Sequence, residues 1–170
     1  MKNDNVKDLK CVVDFLGNKL EFKCMGCAIS SHEIIVPGGI IYEDNTFIIH
    51  QDPMVPIKGF IVITVKKHIK SITELNNENQ IKLIEFVNKI ILYLKDLNIT
   101  EEVTIIQEER SNHLHFWIFP HHSWMDDQFG RGVSYFRDIF DFSKIHATKE
   151  DKEEVLDVIL KIKEKFKINL

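Results

Sequence analysis

The chain has 170 residues, 44% hydrophobic and 28% charged, with a formal charge of −4. That balance belongs to a globular domain and excludes a disordered polymer. The acidic surplus argues against a nucleic-acid polymer as partner, because neutralising many phosphates needs an excess of Lys and Arg. A small phosphorylated ligand needs only a local pocket. No run approaches the ~20 apolar residues that span a bilayer, and MKNDNVKDLK has no apolar signal core, so the expectation is a cytoplasmic protein without membrane partner.

In chain order, residues 1–22 read as a short N-terminal extension, residues 23–125 as the main domain and residues 126–170 as a C-terminal helical extension packed on it. Cys24-Met25-Gly26-Cys27 is a CxxC pair, which in a reducing compartment reads as half a zinc site or a redox pair. Ile40-Ile41-Tyr42 and Phe47-Ile48-Ile49 flank the polar turn Glu43-Asp44-Asn45, a hairpin pattern. The prolines of Asp52-Pro53-Met54-Val55-Pro56 predict a loop. Gly59 to Val65, five of whose seven residues are β-branched, predicts a strand in the middle of the sheet.

From Asn77 to Leu97, Ile81, Ile84, Val87, Ile91 and Leu94 recur at helical spacing, with Asn77 and Gln80 resembling a capping pair. Val103 to Gln107 and Leu114 to Phe119 predict an antiparallel strand pair. The tail from about Val133 to Phe166 reads as two helices with a break and cap at Thr148 to Asp151. Its aromatic run from Tyr135 to Phe142 reads as core or a dimer contact, and Lys144 to Lys167 as a solvated amphipathic helix. Strands and helices without strict βαβ alternation predict an α+β domain with an antiparallel sheet of about five strands, one main helix and C-terminal helices.

The densest chemical signal is His113-Leu114-His115-Phe116-Trp117-Ile118-Phe119-Pro120. On a strand, His113, His115 and Trp117 share one face while Leu114, Phe116 and Ile118 share the other. Two imidazoles then project from an apolar sheet, and a neutral imidazole is a competent nucleophile toward phosphorus. Taken alone, HxH is more often a strand with two ordinary histidines.

Over about residues 24–122 the chain resembles the histidine triad family, whose motif is His-φ-His-φ-His-φ-φ with φ apolar, usually closed by proline. It looks like a diadenosine tetraphosphate hydrolase-like member carrying His-x-His-x-Trp. Tyr42-Glu43-Asp44, Lys58-Gly59-Phe60-Ile61-Val62-Ile63 and Lys66-Lys67-His68-Ile69 are similar to the family's acidic turn, Gly-led strand and Lys-x-His corner, in order and spacing. The resemblance implies the histidine triad fold and a nucleotide substrate attacked at its α-phosphate by His115, which becomes nucleotidylated, with His113 and Trp117 beside it. It places Asp52 at the ribose hydroxyls, Gln51 and His50 near the purine pocket, Arg110 or Ser111 toward the leaving group or its phosphates, and Gln107 among the nucleotide-binding residues. His50 taken by itself reads as a strand-end side chain. His121, His122 and Trp124, directly after the motif, either line the phosphate side or lie on a surface loop.

Trp117 replaces the third histidine; some transferase relatives carry glutamine there. An indole N–H donates but cannot accept a proton. His121 stands where the family has Arg, and Arg110 where it has Ser. The resemblance further implies structural Zn²⁺ on Cys24, Cys27, His68 and His113, with His32 as a spare ligand, and a homodimer whose sheets join. The expected function is a nucleotide hydrolase acting on a dinucleoside polyphosphate or a nucleotide phosphoramidate. A nucleotidyl transferase, a zinc-stabilised nucleotide-binding protein with little turnover, and a small zinc-dependent interaction module are the competing readings.

Overall fold

The computed structural model describes residues 9–108 and 111–168. Among the described residues two antiparallel sheets form: β1 (Lys10–Val13) pairs with β2 (Lys19–Phe22), and five further strands make the main sheet. These are β3 (Tyr42–Glu43), β4 (Phe47–Gln51), β5 (Ile61–Val65), β6 (Val103–Gln107) and β7 (His115–Pro120), in the order β3-β4-β5-β7-β6. The β-branched strand therefore lies at the centre, and every neighbouring pair is antiparallel. Helices α1 (Met25–Ser30), α2 (Asn77–Asp96), α3 (Ser123–Gln128), α4 (Phe136–His146) and α5 (Lys149–Ile168) complete the fold. Among the described residues no helix is long and apolar enough to cross a membrane.

Strand alternation divides the core. Phe47, Ile49, Ile61, Ile63, Val65, Leu114 and Ile118 face α2 and α5 in the largest apolar cluster. On the opposite face Val62, Phe119 and Trp117 meet Met125 of α3 and Phe136 and Ile139 of α4, while Ile48 joins a third cluster with Leu20, Phe22 and Ile29. Between those two lateral clusters the same face is left open, and the site forms there.

Three details depart from the sequence reading. Helix α2 buries Leu83, Phe86, Val87, Ile90, Tyr93 and Leu94, whereas Ile81 and Ile84 are exposed. Its apolar residues surround the helix, so periodicity permits more than one stripe; Phe86 and Tyr93 select theirs by packing on Phe166. The cap is Asn76, whose side chain accepts from the Asn79 amide at 2.9 Å, while the Gln80 amide donates to the Ile72 and Leu75 carbonyls. Helix α5 is not merely a solvated face: Val155, Val158, Ile159, Ile162 and Phe166 enter the main core. Its start is as expected, Thr148 and Asp151 exchanging side-chain-to-backbone hydrogen bonds at 2.8 and 3.1 Å.

Candidate functional site

The open face is built from alternate residues of three adjacent strands. Register pairs Thr64 with His115, Val62 with Trp117 and His50 with Val62, so these side chains share a face by the pleat alone. They floor a cavity of about 1160 Å³, which Asp52, Gln107, Ser111, His113 and the α4 side chains also line.

His115 is held by its own strand's entry. Its Nδ1 donates to the His113 carbonyl at 2.8 Å and lies 3.3 Å from Ser111 Oγ, which itself donates to that carbonyl at 3.0 Å. A carbonyl only accepts, so the proton resides on Nδ1 and the Nε2 lone pair is left available. Glu108 faces Nε2 at 3.9 Å, beyond hydrogen-bonding distance. Trp117 stands beside it, ring centroids 6.1 Å apart, its indole wedged edge-on between Phe60 and Phe140.

Beneath them His50 is buried, its Nδ1 donating to the Gln51 carbonyl at 2.8 Å and its Nε2 accepting from the Thr64 hydroxyl at 3.1 Å. Burial, reinforced by the neighbouring His115, lowers its pKa to about 4, so the ring is neutral. His50 is thus part of the cavity floor and not simply a strand-end side chain; the cross-strand hydroxyl that satisfies it belongs to β5 and is invisible to local reading.

Asp52 is 7% exposed; its Oδ1 accepts from the Met54 and Val55 amides, both at 2.9 Å, and burial raises its pKa. Gln51 is fully buried, its amide donating to the Val55 and Ile57 carbonyls, and it is not among the residues lining the cavity. A β-strand sends neighbours to opposite sides, which separates it from His50 and Asp52. Gln107 lines the cavity at its rim. Arg110 lies outside the described residues.

A second constellation adjoins the first. Cys24 at the start of α1, Cys27 within it, His68 after β5 and His113 before β7 converge, their ligand atoms all within 4.8 Å of one another. His113 Nδ1 lies 3.3 Å from Cys24 Sγ, 3.6 Å from Cys27 Sγ and 3.2 Å from His68 Nδ1. His68 Nδ1 lies 3.5 and 3.2 Å from the two sulfurs. Bonds of about 2.0 Å to nitrogen and 2.3 Å to sulfur give a tetrahedron edges of roughly 3.3–3.8 Å, so the cluster has the dimensions of a thiolate–imidazole metal site.

The protonation pattern fits as well. His113 Nε2 donates to the Val65 carbonyl at 2.6 Å, which frees Nδ1 as a ligand, and burial lowers the ring's pKa. Burial and the adjacent Cys24 push the Cys27 thiol up to about 11. Gly26 lets the helix approach: a Cβ there would meet the His113 ring at 2.6 Å. His32 is turned away, its Nε2 3.2 Å from a Glu43 carboxylate oxygen.

His121 and His122 do not line the His115 cavity. His121 bonds Thr104 Oγ1 at 2.7 Å, His122 donates to the Lys58 carbonyl at 3.0 Å, and burial lowers the pKa of His122. With Trp124, which lies on α3 and not on a loop, they border a separate cavity of about 570 Å³. The residues that sequence reasoning missed are Thr64, Glu108 and the α4 face of Arg137, Phe140, Asp141 and Lys144. The only local signal for the last was spacing at i, i+3, i+4 and i+7, which a surface helix shares.

No family model matches the chain. A HIT-like protein of uncharacterised function from Methanocaldococcus jannaschii is 29% identical over 102 residues, which cover 57% of this chain and 78% of the relative. The structure of a zinc-bound histidine triad family protein from Mycobacterium smegmatis superposes with TM-score 0.61 at 17% identity, covering 86% of this chain and 97% of the other. A hypothetical histidine triad nucleotide-binding protein from Sulfolobus tokodaii gives 0.58 at 23% identity, over 85% and 94%. The fold is that of the histidine triad proteins.

Proposed function

We propose that this chain is a nucleotide hydrolase or nucleotidyl transferase of the histidine triad type, acting at the α-phosphate of a nucleoside phosphate through a nucleotidylated His115. One observation carries the reading: His115 Nδ1 is committed to a backbone carbonyl at 2.8 Å, so its basic Nε2 is the nitrogen left for a phosphorus atom in the cavity. The fold and the HIT-like relative support it. Asp52 and Gln107 are the candidates for sugar and phosphate contacts, and Ser111 keeps the His113 carbonyl and the His115 ring in register.

Zinc fits the four-ligand corner, held by Cys24, Cys27, His68 and His113; the metal ties α1 to the sheet and locks the residue from which His115 hangs. It supplies structure and no step of the reaction. Residues 23–125 form the catalytic domain in this reading, with residues 126–170 packed on it. A homodimer is supported by the open edge of β6, with Ile105 49% exposed, and by the exposed α2 residues Ile81, Ile84 and Leu92.

The test is intact mass after incubation with a panel of dinucleoside polyphosphates. Wild type gains one nucleotidyl group and His115→Ala gains none. An adduct in both, or in neither although nucleotide binds, removes the covalent reading. The second outcome favours a zinc-stabilised nucleotide-binding protein, for which Trp117 in place of a proton-transferring imidazole is the supporting feature.

A further inference from the structure

The cavity before His115 has a wall that the strands do not supply. Arg137, Phe140, Asp141 and Lys144 lie on one face of α4 and all line it. Phe140 fixes that wall to the sheet through Phe60 and Trp117, with centroids 5.5 and 5.6 Å away, and Phe136 through Phe119 at 4.2 Å. Arg137 and Lys144 are separated by two helical turns, about 10 Å along the axis. Both are exposed, and neither forms a hydrogen bond or ion pair among the described residues, although Asp141 lies between them. Lys144 is close enough to the buried Asp52 carboxylate for its charge to be felt there.

The reaction at His115 distinguishes leaving groups by what each needs. As the Nε2 lone pair forms the N–P bond, the bond from phosphorus to the leaving atom breaks and its electron pair goes to that atom. An amine nitrogen must take up a proton to depart, whereas a phosphate oxygen departs as an anion and needs nearby positive charge. Trp117 occupies the place beside His115 with an indole N–H that donates a hydrogen bond but does not titrate. Two cationic groups without hydrogen-bond or ion-pair partners among the described residues, Arg137 and Lys144, line the same cavity. Water then attacks phosphorus, the N–P bond breaks with its pair returning to Nε2, and the surplus proton passes to solvent.

We infer that Arg137 and Lys144 hold the anionic phosphates of the leaving group, so that the substrate is a nucleoside polyphosphate, an anhydride, and not a phosphoramidate. This rests on His115 being the nucleophile, as proposed above. It makes the C-terminal helical segment a determinant of specificity and not a passive cover for the sheet.

The experiment uses the full chain and the variants Arg137→Gln, Lys144→Gln and the double variant. Affinities for AMP, ATP and diadenosine tetraphosphate are measured calorimetrically at fixed salt, alongside kcat/KM for the tetraphosphate and for adenosine 5′-phosphoramidate. Wild type is expected to bind ATP at least about tenfold more tightly than AMP, the ratio falling about tenfold in the double variant, because charge-assisted contacts to phosphate are lost. The kcat/KM preference for tetraphosphate over amidate falls in parallel. Equal losses on AMP and ATP, an unchanged ratio, or a wild-type preference for the amidate overturns the inference. If no covalent adduct forms in any protein, the reading of His115 fails, while the ATP-to-AMP ratio still decides whether these cations receive the phosphate chain.

Discussion

His113 just before β7 and His115 at its start line the same cavity two residues apart, yet the two regions they belong to are opposites. Around His113 the atoms converge: Nε2 is spent on the Val65 carbonyl, and Nδ1 points into a cluster with Cys24, Cys27 and His68. Around His115 they diverge: Nδ1 is spent on the His113 carbonyl, and Nε2 remains on a cavity. The residue type is shared and both rings line one cavity, so neither fact decides the chemistry. The carbonyl that captures one nitrogen decides which nitrogen is left, and whether that nitrogen meets soft ligands or open space decides its use.

The sharpest way to break that contrast is to replace each imidazole separately. His115→Asn should lower the rate of adduct formation by at least about 10³-fold, as expected for a lost nucleophile, with little change in melting temperature. With the proposed zinc on its four ligands, His113→Asn should instead lower the metal content of the purified protein and the melting temperature by roughly 10 °C, since about 3–5 kcal/mol of ligand-linked stability is at stake in a chain of this size. Metal content and calorimetry report both. If the two variants lose stability equally, the division into a structural and a reactive imidazole is wrong.

A third imidazole on the same cavity sharpens it. His50 is neutral in the fold with a pKa lowered to about 4, against an ordinary value of 6.5. The unfolded chain therefore binds more protons between these values, and stability contributed above pH 6.5 is lost as pH falls toward 4. The groups that face it are the Gln51 carbonyl, which accepts from Nδ1 and favours protonation, His115, which opposes it, and the Thr64 hydroxyl, which donates to Nε2. The loss reaches at most about 3 kcal/mol by linkage. Denaturant midpoints of wild type and His50→Gln, compared from pH 7 to 4.5, should converge as pH falls; parallel curves would show that this ring is already solvated.

Gly26→Ala probes the corner without removing a ligand. The added methyl would meet the His113 ring at 2.6–2.7 Å, so helix or ring must shift, at about 1–3 kcal/mol for overpacking. Faster metal loss to a chelator, with adduct formation less affected than by His115→Asn, is the expected result. At the small end, Lys58 pairs with Glu154 at 2.8 Å with both side chains well exposed, and Lys58→Ala should change stability by ~0.5 kcal/mol or less. A larger loss would mean that the second cavity carries more of the fold than its exposed ion pair implies.

Much of this protein was legible in one dimension. Period-two alternation put His115 and Trp117 on one face with Phe116 and Ile118 on the other, and β-branching put Ile61–Val65 at the sheet centre. These are properties of neighbouring residues, and strand geometry converts them into sides without help from the rest of the chain. Which stripe of α2 is buried, that Gln51 turns away from the cavity, that Thr64 satisfies His50 and that α4 brings Arg137 and Lys144 to the cavity that His115 lines were decided by packing between segments far apart in sequence. An amphipathic pattern states that a face is apolar but not what it meets, and a histidine in a sequence carries two equivalent choices of nitrogen until a distant carbonyl takes one of them.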